Sequence, residues 1–214
     1  SLKKAGYDAL IITGKSEAPV HLDINEDKVE FKDASELWGL HVTPTQDKLP
    51  PKAGKMVIGP AGENKVLYAC VFSGERTAGR GGVGAVFGDK KLKAVTADGR
   101  IPTEVFDKEK LKETNKKWTT QLRSHPLTGS QLPRLGTAGL VSPMQAHRIL
   151  ATKNFAQGRF DDFEKISGEE LTKNHLVKNS GCTTCVIQCT RRVKVDEKVV
   201  KGPELETLGL LGPN

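Results

Sequence analysis

Aromatic side chains are scarce in this sequence, at 5% of its residues, and long apolar runs are missing altogether. No stretch of about 18 consecutive apolar residues occurs, which excludes a membrane-spanning helix. The opening Ser1-Leu2-Lys3-Lys4 lacks the apolar centre of a secretory signal. Cysteines number four, and three of them fall within eight residues, Cys182 to Cys189. The spread pattern of a secreted disulfide scaffold is therefore absent, and metal ligation in a reducing, cytoplasmic compartment is the reading that remains. Also absent are an internal repeat and a low-complexity tract. The net charge of +7 suits a nucleic acid, an anionic cofactor or an acidic partner. The cations are dispersed, however, in Lys90, Lys91 and Lys93, in Lys116 and Lys117, and in Arg191 and Arg192. No aromatic-studded basic stripe joins them, so nucleic-acid binding is not expected.

What is present is ordinary for a soluble globular chain, with 36% hydrophobic and 28% charged residues in a length of 214. That length lies between one large domain and two small ones. The first half reads as β-rich. Tyr7 to Thr13 is a compact apolar segment ended by Gly14, and Val20, Leu22 and Ile24 alternate, as do Val29 and Phe31 across the turn Asn25-Glu26-Asp27. Met56 to Ile58 and Val66 to Phe72 are further strand candidates, separated by a turn-like Gly59-Pro60-Ala61-Gly62-Glu63-Asn64, and a last strand is expected near Lys91 to Thr96. After Ile101-Pro102 the period lengthens to about 3.6 residues. Leu111, Trp118 and Leu122 share a helix face that Asp107 can cap and Pro126 must end. Residues 124 to 166 are rich in breakers, with a short helix expected over Met144 to Ala151. Ser167 with Glu170 forms a capping box for a helix running to about Lys178. An α+β chain follows, with a boundary near residue 103. Both ends read as cut from something longer.

Three constellations carry chemistry. Cys182-x-x-Cys185-x-x-x-Cys189 places three thiolates in a loop and about one helical turn, a spacing that lets them converge on one metal centre. A 4Fe-4S cluster needs four cysteines and structural zinc four ligands, so one ligand must come from elsewhere. Cys70 sits in an apolar run and reads as a small core residue. Zinc with a histidine such as His175, or unliganded thiols, are the other readings. The second constellation is Arg76-Thr77-Ala78-Gly79-Arg80-Gly81-Gly82-Val83-Gly84-Ala85-Val86-Phe87-Gly88, expected between two strands. Glycines at this density let backbone amides approach an anion, and arginines add planar forks suited to phosphate. It is not a Walker A loop, because no Gly-Lys-Ser/Thr follows; a strand-like continuation also argues against a dinucleotide fingerprint. A plain turn is the alternative. The third is Gly202-Pro203-Glu204-Leu205-Glu206-Thr207, whose two carboxylates would face one way in an extended segment and are otherwise surface glutamates.

In their order along the chain these motifs resemble the aldehyde:ferredoxin oxidoreductase family of tungsten or molybdenum bis-pterin enzymes. GYDALIITGKSEAPV, GPAGEN, TAGRGGVGAVFGDKKLKAV, CTTCVIQC and GPELET occur in turn, and the likeness covers essentially the whole sequence. The resemblance implies a β-rich, saddle-like pterin-binding domain over residues 1 to 103, followed over 104 to 214 by the start of a mainly helical, loop-rich domain carrying the cluster cysteines. It implies that Arg76, Thr77, Ala78, Gly79, Arg80, Gly81 and Gly82 lie at the pterin, with the Thr77 carbonyl toward a bridging magnesium. It further implies that Cys182, Cys185 and Cys189 are three ligands of a 4Fe-4S cluster, and that Glu206 is the carboxylate that handles protons beside the metal. The reaction implied is oxidation of an aldehyde to a carboxylic acid with ferredoxin as acceptor. A relative acting on an aromatic ring or a hydroxycarboxylate is the alternative, as is a non-enzymatic iron-sulfur or zinc module. Homo-oligomerisation is left open. Residues 1 to 214 alone are expected to be inactive, because the remaining pterin contacts and the fourth cysteine would lie outside them.

Overall fold

Asn25 closes the first hairpin. Its Oδ1 accepts from the Asp27 amide at 3.0 Å, its own amide donates to the Lys28 carbonyl at 2.9 Å, and the alternating residues on either side pair antiparallel as β1 (Val20–Ile24) and β2 (Val29–Asp33). A computed structural model describes residues 1–213 and divides the chain into two compact units, Ser1–Glu104 and Val105–Asn214. The fold is α+β.

In the first unit, β1 runs parallel to β6 (Leu92–Ala97). Beyond β6 follow β3 (Gly54–Val57), β4 (Val71–Ser73) and β5 (Arg76–Ala78), each antiparallel to its neighbour, to give a six-stranded sheet β2-β1-β6-β3-β4-β5. Three short helices, α1 (Val42–Lys48), α2 (Pro60–Glu63) and α3 (Val83–Asp89), connect the strands. Every residue of β6 is buried. Leu22, Ile24, Leu92, Val95 and Ala97 form one apolar cluster with Ala5, and Leu49, Val57 and Ala94 another.

Two polar networks are built into this sheet. Lys93 is fully buried; its ammonium donates to the Leu40 carbonyl at 2.8 Å and pairs with the Glu63 carboxylate, whose other oxygen accepts from the Gly39 amide at 2.9 Å. On β1, His21 Nε2 lies 2.7 Å from Thr96 Oγ1, which in turn donates to Asp23 Oδ1 at 2.6 Å. The threonine has one hydroxyl proton and spends it on the carboxylate, so the imidazole donates through Nε2. Burial holds the His21 pKa below the usual imidazole value, with the Asp23 charge pulling it up and Lys32 pushing it down. For Asp23, burial alone would raise the pKa, but hydrogen bonds from Lys32 and Thr96 and the Lys32 charge outweigh it, and the net shift is downward. Lys32 is raised by its bond to Asp23.

The second unit begins with α4 (Lys108–Ser124), where Asp107 accepts from the Lys110 amide at 2.8 Å. A π-helical stretch over Pro126–Gln131 leads into α5 (Leu132–Leu135) and α6 (Val141–Ala146). Ser167 then caps α7 (Gly168–Asn174) by accepting from the Glu170 amide at 3.1 Å. A three-stranded antiparallel sheet of β7 (Leu176–Ser180), β8 (Thr190–Val195) and β9 (Lys198–Lys201) follows, and α8 (Leu205–Leu211) closes the described chain.

Several elements depart from the sequence reading. Tyr7 to Thr13 forms no strand: Tyr7 and Ile12 touch the core, but no neighbouring strand pairs with the segment, and Ile11 is 88% exposed. The run from Val66 pairs only from Val71 onward, with Leu67 and Tyr68 solvent-facing. Gly59 to Asn64 is the helix α2 rather than a turn, because Pro60 occupies its first turn, where a missing amide is harmless. The helix from Ser167 ends at Asn174, short of Lys178, and the chain continues as β7. In α4 the expected apolar face is largely exposed, Leu111 and Trp118 included. Among the described residues no helix is long and apolar enough to cross a membrane.

Candidate functional site

The glycine-rich segment follows the edge of the six-stranded sheet. Among the described residues β5 pairs only with β4, Phe72 facing Thr77 and Ser73 facing Arg76, so it is an edge strand of the sheet. Arg76, Thr77, Ala78 and Arg80 are exposed and Gly79 is half-buried. The chain then turns through Gly81 at φ +90° and Gly82 at φ +68°, left-handed values that favour glycine.

The glycines divide into two groups. A Cβ on Gly82 would lie 2.2 Å from the Leu67 carbonyl oxygen, one on Gly84 would lie 2.7 Å from the Ala69 carbonyl, and one on Gly88 would lie 1.8 Å from the Gly62 carbonyl oxygen. These three are required by close packing of α3 on the 67–70 segment and on α2, the helix of the Gly-Pro-Ala-Gly-Glu-Asn motif. At Gly81 nothing lies within 4 Å. Its left-handed turn opens away from the protein, directly after the exposed Arg80. Gly79 lies over Cys70, whose sulfur is 2.8 Å from the position of an added Cβ.

After Gly82 the chain is helical, as α3, an element the sequence reading did not place, and the strand expected near Lys91 to Thr96 follows it as β6. Three small or glycine residues and a tight α2 contact favour the compact helix over an extended segment. Strand, glycine turn and helix thus occur in the order of a dinucleotide fingerprint. The topology still argues against one: β5 and β6 lie three places apart in the sheet and run antiparallel, whereas that fingerprint needs a parallel βαβ unit.

Cys182, Cys185 and Cys189 lie in the loop joining β7 to β8, without the expected helical turn. Cys182 is exposed and the other two are half-buried, and all are free thiols. The Cys185 amide donates to the Cys182 carbonyl at 3.0 Å, and Gln188, itself left-handed at φ +54°, donates from Nε2 to the Cys185 carbonyl at 3.0 Å. Among the described residues no group of three or more His, Cys, Asp or Glu side chains is placed to hold a metal ion. The three thiols therefore share one loop without converging. His175, the candidate zinc partner, instead sets Nδ1 3.4 Å from the Lys194 carbonyl.

Sequence reasoning missed Arg191 as a site residue, placing it in a basic surface cluster. It is buried at 3% exposure. Its guanidinium gathers the carbonyls of Leu132, Pro133 and Gln188 and the Asn179 side chain, so α5, β7 and the end of the cysteine loop meet at one cation. Burial pushes its pKa down, with Cys189 and Glu204 opposing. The available signal was its spacing from Val193, since alternate residues of a strand share a face.

Glu204 and Glu206 do not share a face, because the chain enters α8 at Leu205 and residues two apart on a helix diverge. Glu204 is tied down: Thr137 Oγ1 donates to it at 2.9 Å, Thr190 Oγ1 at 3.3 Å, and Lys201 lies 3.5 Å away. Glu206 is exposed on the first turn of α8. It borders a cavity of about 210 Å³ lined otherwise by Met144, Leu150, Phe155, Leu205 and Leu210.

The N-terminal domain of aldehyde ferredoxin oxidoreductase matches residues 1–99, and domains 2 and 3 of the same family match residues 113–214. The tungsten-containing aldehyde ferredoxin oxidoreductase of Pyrococcus horikoshii is 43% identical over 222 residues, and that of Thermococcus kodakarensis 40% identical over 220. Each alignment takes in 100% of this chain, which spans 36% of the relative's length. Among solved structures, the active site complex BamBC of benzoyl coenzyme A reductase, in complex with 1,5 dienoyl-CoA, superposes with a TM-score of 0.71 at 27% identity, covering 98% of this chain and 36% of that one.

Proposed function

The chain is a member of the aldehyde ferredoxin oxidoreductase family, and from that premise we propose that it carries the phosphate-binding side and three cluster ligands of an oxidoreductase converting aldehydes to carboxylic acids. In this reading a tungsten or molybdenum bis-pterin would supply two-electron redox and Lewis-acid chemistry, with a 4Fe-4S cluster and ferredoxin as the electron acceptors. The cysteine loop fits the cluster by donor chemistry, with three free thiols in one short loop, although the loop must close to bring them together.

The observation that carries the proposal is the turn at Gly81. Three neighbouring glycines are consumed by packing, while Gly81 is open on its free side and directly follows the exposed Arg80, with exposed Arg76 earlier in the same segment. A left-handed turn of this kind presents backbone amides without a side chain in the way, and arginine forks match phosphate oxygens. Arg76, Arg80 and the amides from Thr77 to Gly82 would hold the pterin phosphates, and the Thr77 carbonyl would face the magnesium. Cys182, Cys185 and Cys189 would hold the cluster. Glu206, exposed on α8 at the rim of an apolar cavity, would accept the proton released when water or substrate is activated.

A longer protein that carries residues 1 to 214 together with the remaining pterin contacts and a fourth cysteine, purified anaerobically, is expected to contain tungsten or molybdenum and to oxidise aldehydes with ferredoxin. Glu206→Gln should lower turnover at unchanged metal content, and unchanged turnover would remove Glu206 from the reaction. A preparation without either metal would sink the reading as a whole. The likeness to the BamBC complex favours one second reading, reduction of an aromatic thioester on the same framework. Offering an aldehyde and an aryl-CoA thioester side by side decides between them.

A further inference from the structure

Arg191 has one donor to spare. Nη1 donates to Asn179 Oδ1 at 3.0 Å and to the carbonyls of Gln188 at 3.2 Å and Thr190 at 3.1 Å; Nη2 donates to the carbonyls of Leu132 at 2.5 Å and Pro133 at 2.8 Å. Nε, equally buried, has no partner among the described residues. Buried polar groups in folded proteins are overwhelmingly hydrogen-bonded, and a charged donor is the costliest to leave out. Its position narrows what it serves: a Cβ on Gly136 would lie 2.8 Å from the Cys189 carbonyl oxygen and 3.5 Å from Nε, so the orphan donor and Cys189 flank one point. Cys189 and Arg191 are also two residues apart at the entry to β8, and side chains at that spacing in extended chain lean to one side. Glu204 is the other charge that bears on the guanidinium, and its oxygens are engaged by Thr137, Thr190 and Lys201.

We propose that Arg191 is a positioning residue for the cysteine loop: it fixes the Cys189 end against α5 and β7 and sets a permanent positive charge near Cys189. The inference rests on the reading of Cys182, Cys185 and Cys189 as cluster ligands. One-electron reduction adds one negative charge to a cluster, and hydrogen bonds and net charge at its sulfurs set the potential. A fixed cation at one ligand favours the reduced form. Anchoring by five donated bonds also means that Cys189 is held before any cluster forms, leaving Cys182 and Cys185 to close onto it.

The test uses the full chain and two readouts. In the iron-loaded protein, redox titration with dithionite followed by EPR should find the Arg191→Gln cluster harder to reduce by about tenfold, a shift of ~59 mV to more negative potential for one electron. Arg191→Lys, which keeps the charge, should stay close to wild type. In the apo-protein, hydrogen exchange of the 181–190 amides should quicken in Arg191→Gln while the first unit is unchanged. If Arg191→Gln does not fold, Asn179→Ala removes one acceptor and keeps the charge; it should quicken exchange in the loop and leave the potential alone. A wild-type potential in Arg191→Gln overturns the charge role, and wild-type loop exchange in Arg191→Gln or Asn179→Ala overturns the positioning role. Failure of the wild-type chain to bind iron would instead count against the cluster reading, and the exchange comparison would still decide whether Arg191 holds the loop.

Discussion

Lys93→Met should be among the most damaging single changes in the first unit. The ammonium is fully buried at the centre of β6, bonded to the Leu40 carbonyl and paired with Glu63, whose side chain is 5% exposed. Removing the cation leaves a buried carboxylate with the Gly39 amide as its only remaining partner of those described, and breaking such a pair from one side costs about 3–5 kcal/mol. Against a total stability of roughly 5–15 kcal/mol, that is enough to unfold much of the population. Glu63→Gln removes the other charge and should cost less, because the amide oxygen can still accept from Gly39. The double variant buries no unpaired ion, so it should be more stable than the sum of the singles by about 2 kcal/mol. Urea unfolding of the four proteins at one pH closes the cycle. Additive effects, or a Lys93→Met cost under about 1 kcal/mol, would refute the claim that this pair is coupled and desolvated. The consequence reaches the site, because Glu63 ends α2, and Gly62 of the same helix lies against Gly84 and Gly88 of α3. Loosening α2 should therefore loosen the glycine turn and lower the tungsten or molybdenum content of the Lys93→Met protein.

Gly88→Ala places a methyl 1.8 Å from the Gly62 carbonyl oxygen and should cost about 3 kcal/mol or more in thermal or urea unfolding; Gly81→Ala meets no neighbour and carries only the strain of φ +90°, about 1–3 kcal/mol, yet should lose bound pterin. Equal metal content in Gly81→Ala and wild type would disprove the role given to that turn. In acid, His21 and Asp23 act in succession. The imidazole pKa is depressed in the folded state, so below about pH 6.5 the unfolded chain takes up the proton first and stability falls. Asp23, also depressed, contributes stability that is present above about pH 3.9 and lost as pH falls further. His21→Gln should flatten the decline in melting temperature between pH 7 and 5 and leave the loss below pH 4; an unchanged slope would refute the assignment.

The parts of the fold legible in sequence are those fixed by local chemistry. Alternation around Asn25 yields the β1–β2 hairpin, and Asp107 and Ser167 cap the helices that follow them. What sequence could not supply is partnership. Tyr7 to Thr13 has a strand's composition, but a strand is defined by the neighbour it bonds, and none of the described strands lies beside it. The converse holds for β8, where Thr190-Arg191-Arg192-Val193-Lys194-Val195 reads as a basic surface stretch. It is a central strand, because Arg191 finds acceptors enough inside to tolerate burial.

The same distinction governs the site. The order of motifs was enough to point to the family, whereas the division of labour within each motif needed coordinates. Glycines that admit a ligand and glycines that admit a neighbouring helix are the same letter, and only contact geometry separates Gly81 from Gly82, Gly84 and Gly88. For the two glutamates, an extended reading makes a carboxylate pair. The turn into α8 separates them: Glu204 is committed to Thr137, Thr190 and Lys201 and is held in place by them. Glu206 is exposed at the rim of an apolar cavity. The proposed proton acceptor, Glu206, is therefore distinguished less by its place in a motif than by the occupation of its neighbour, and Glu204→Gln should disturb the stability of the second unit more than the pH dependence of turnover.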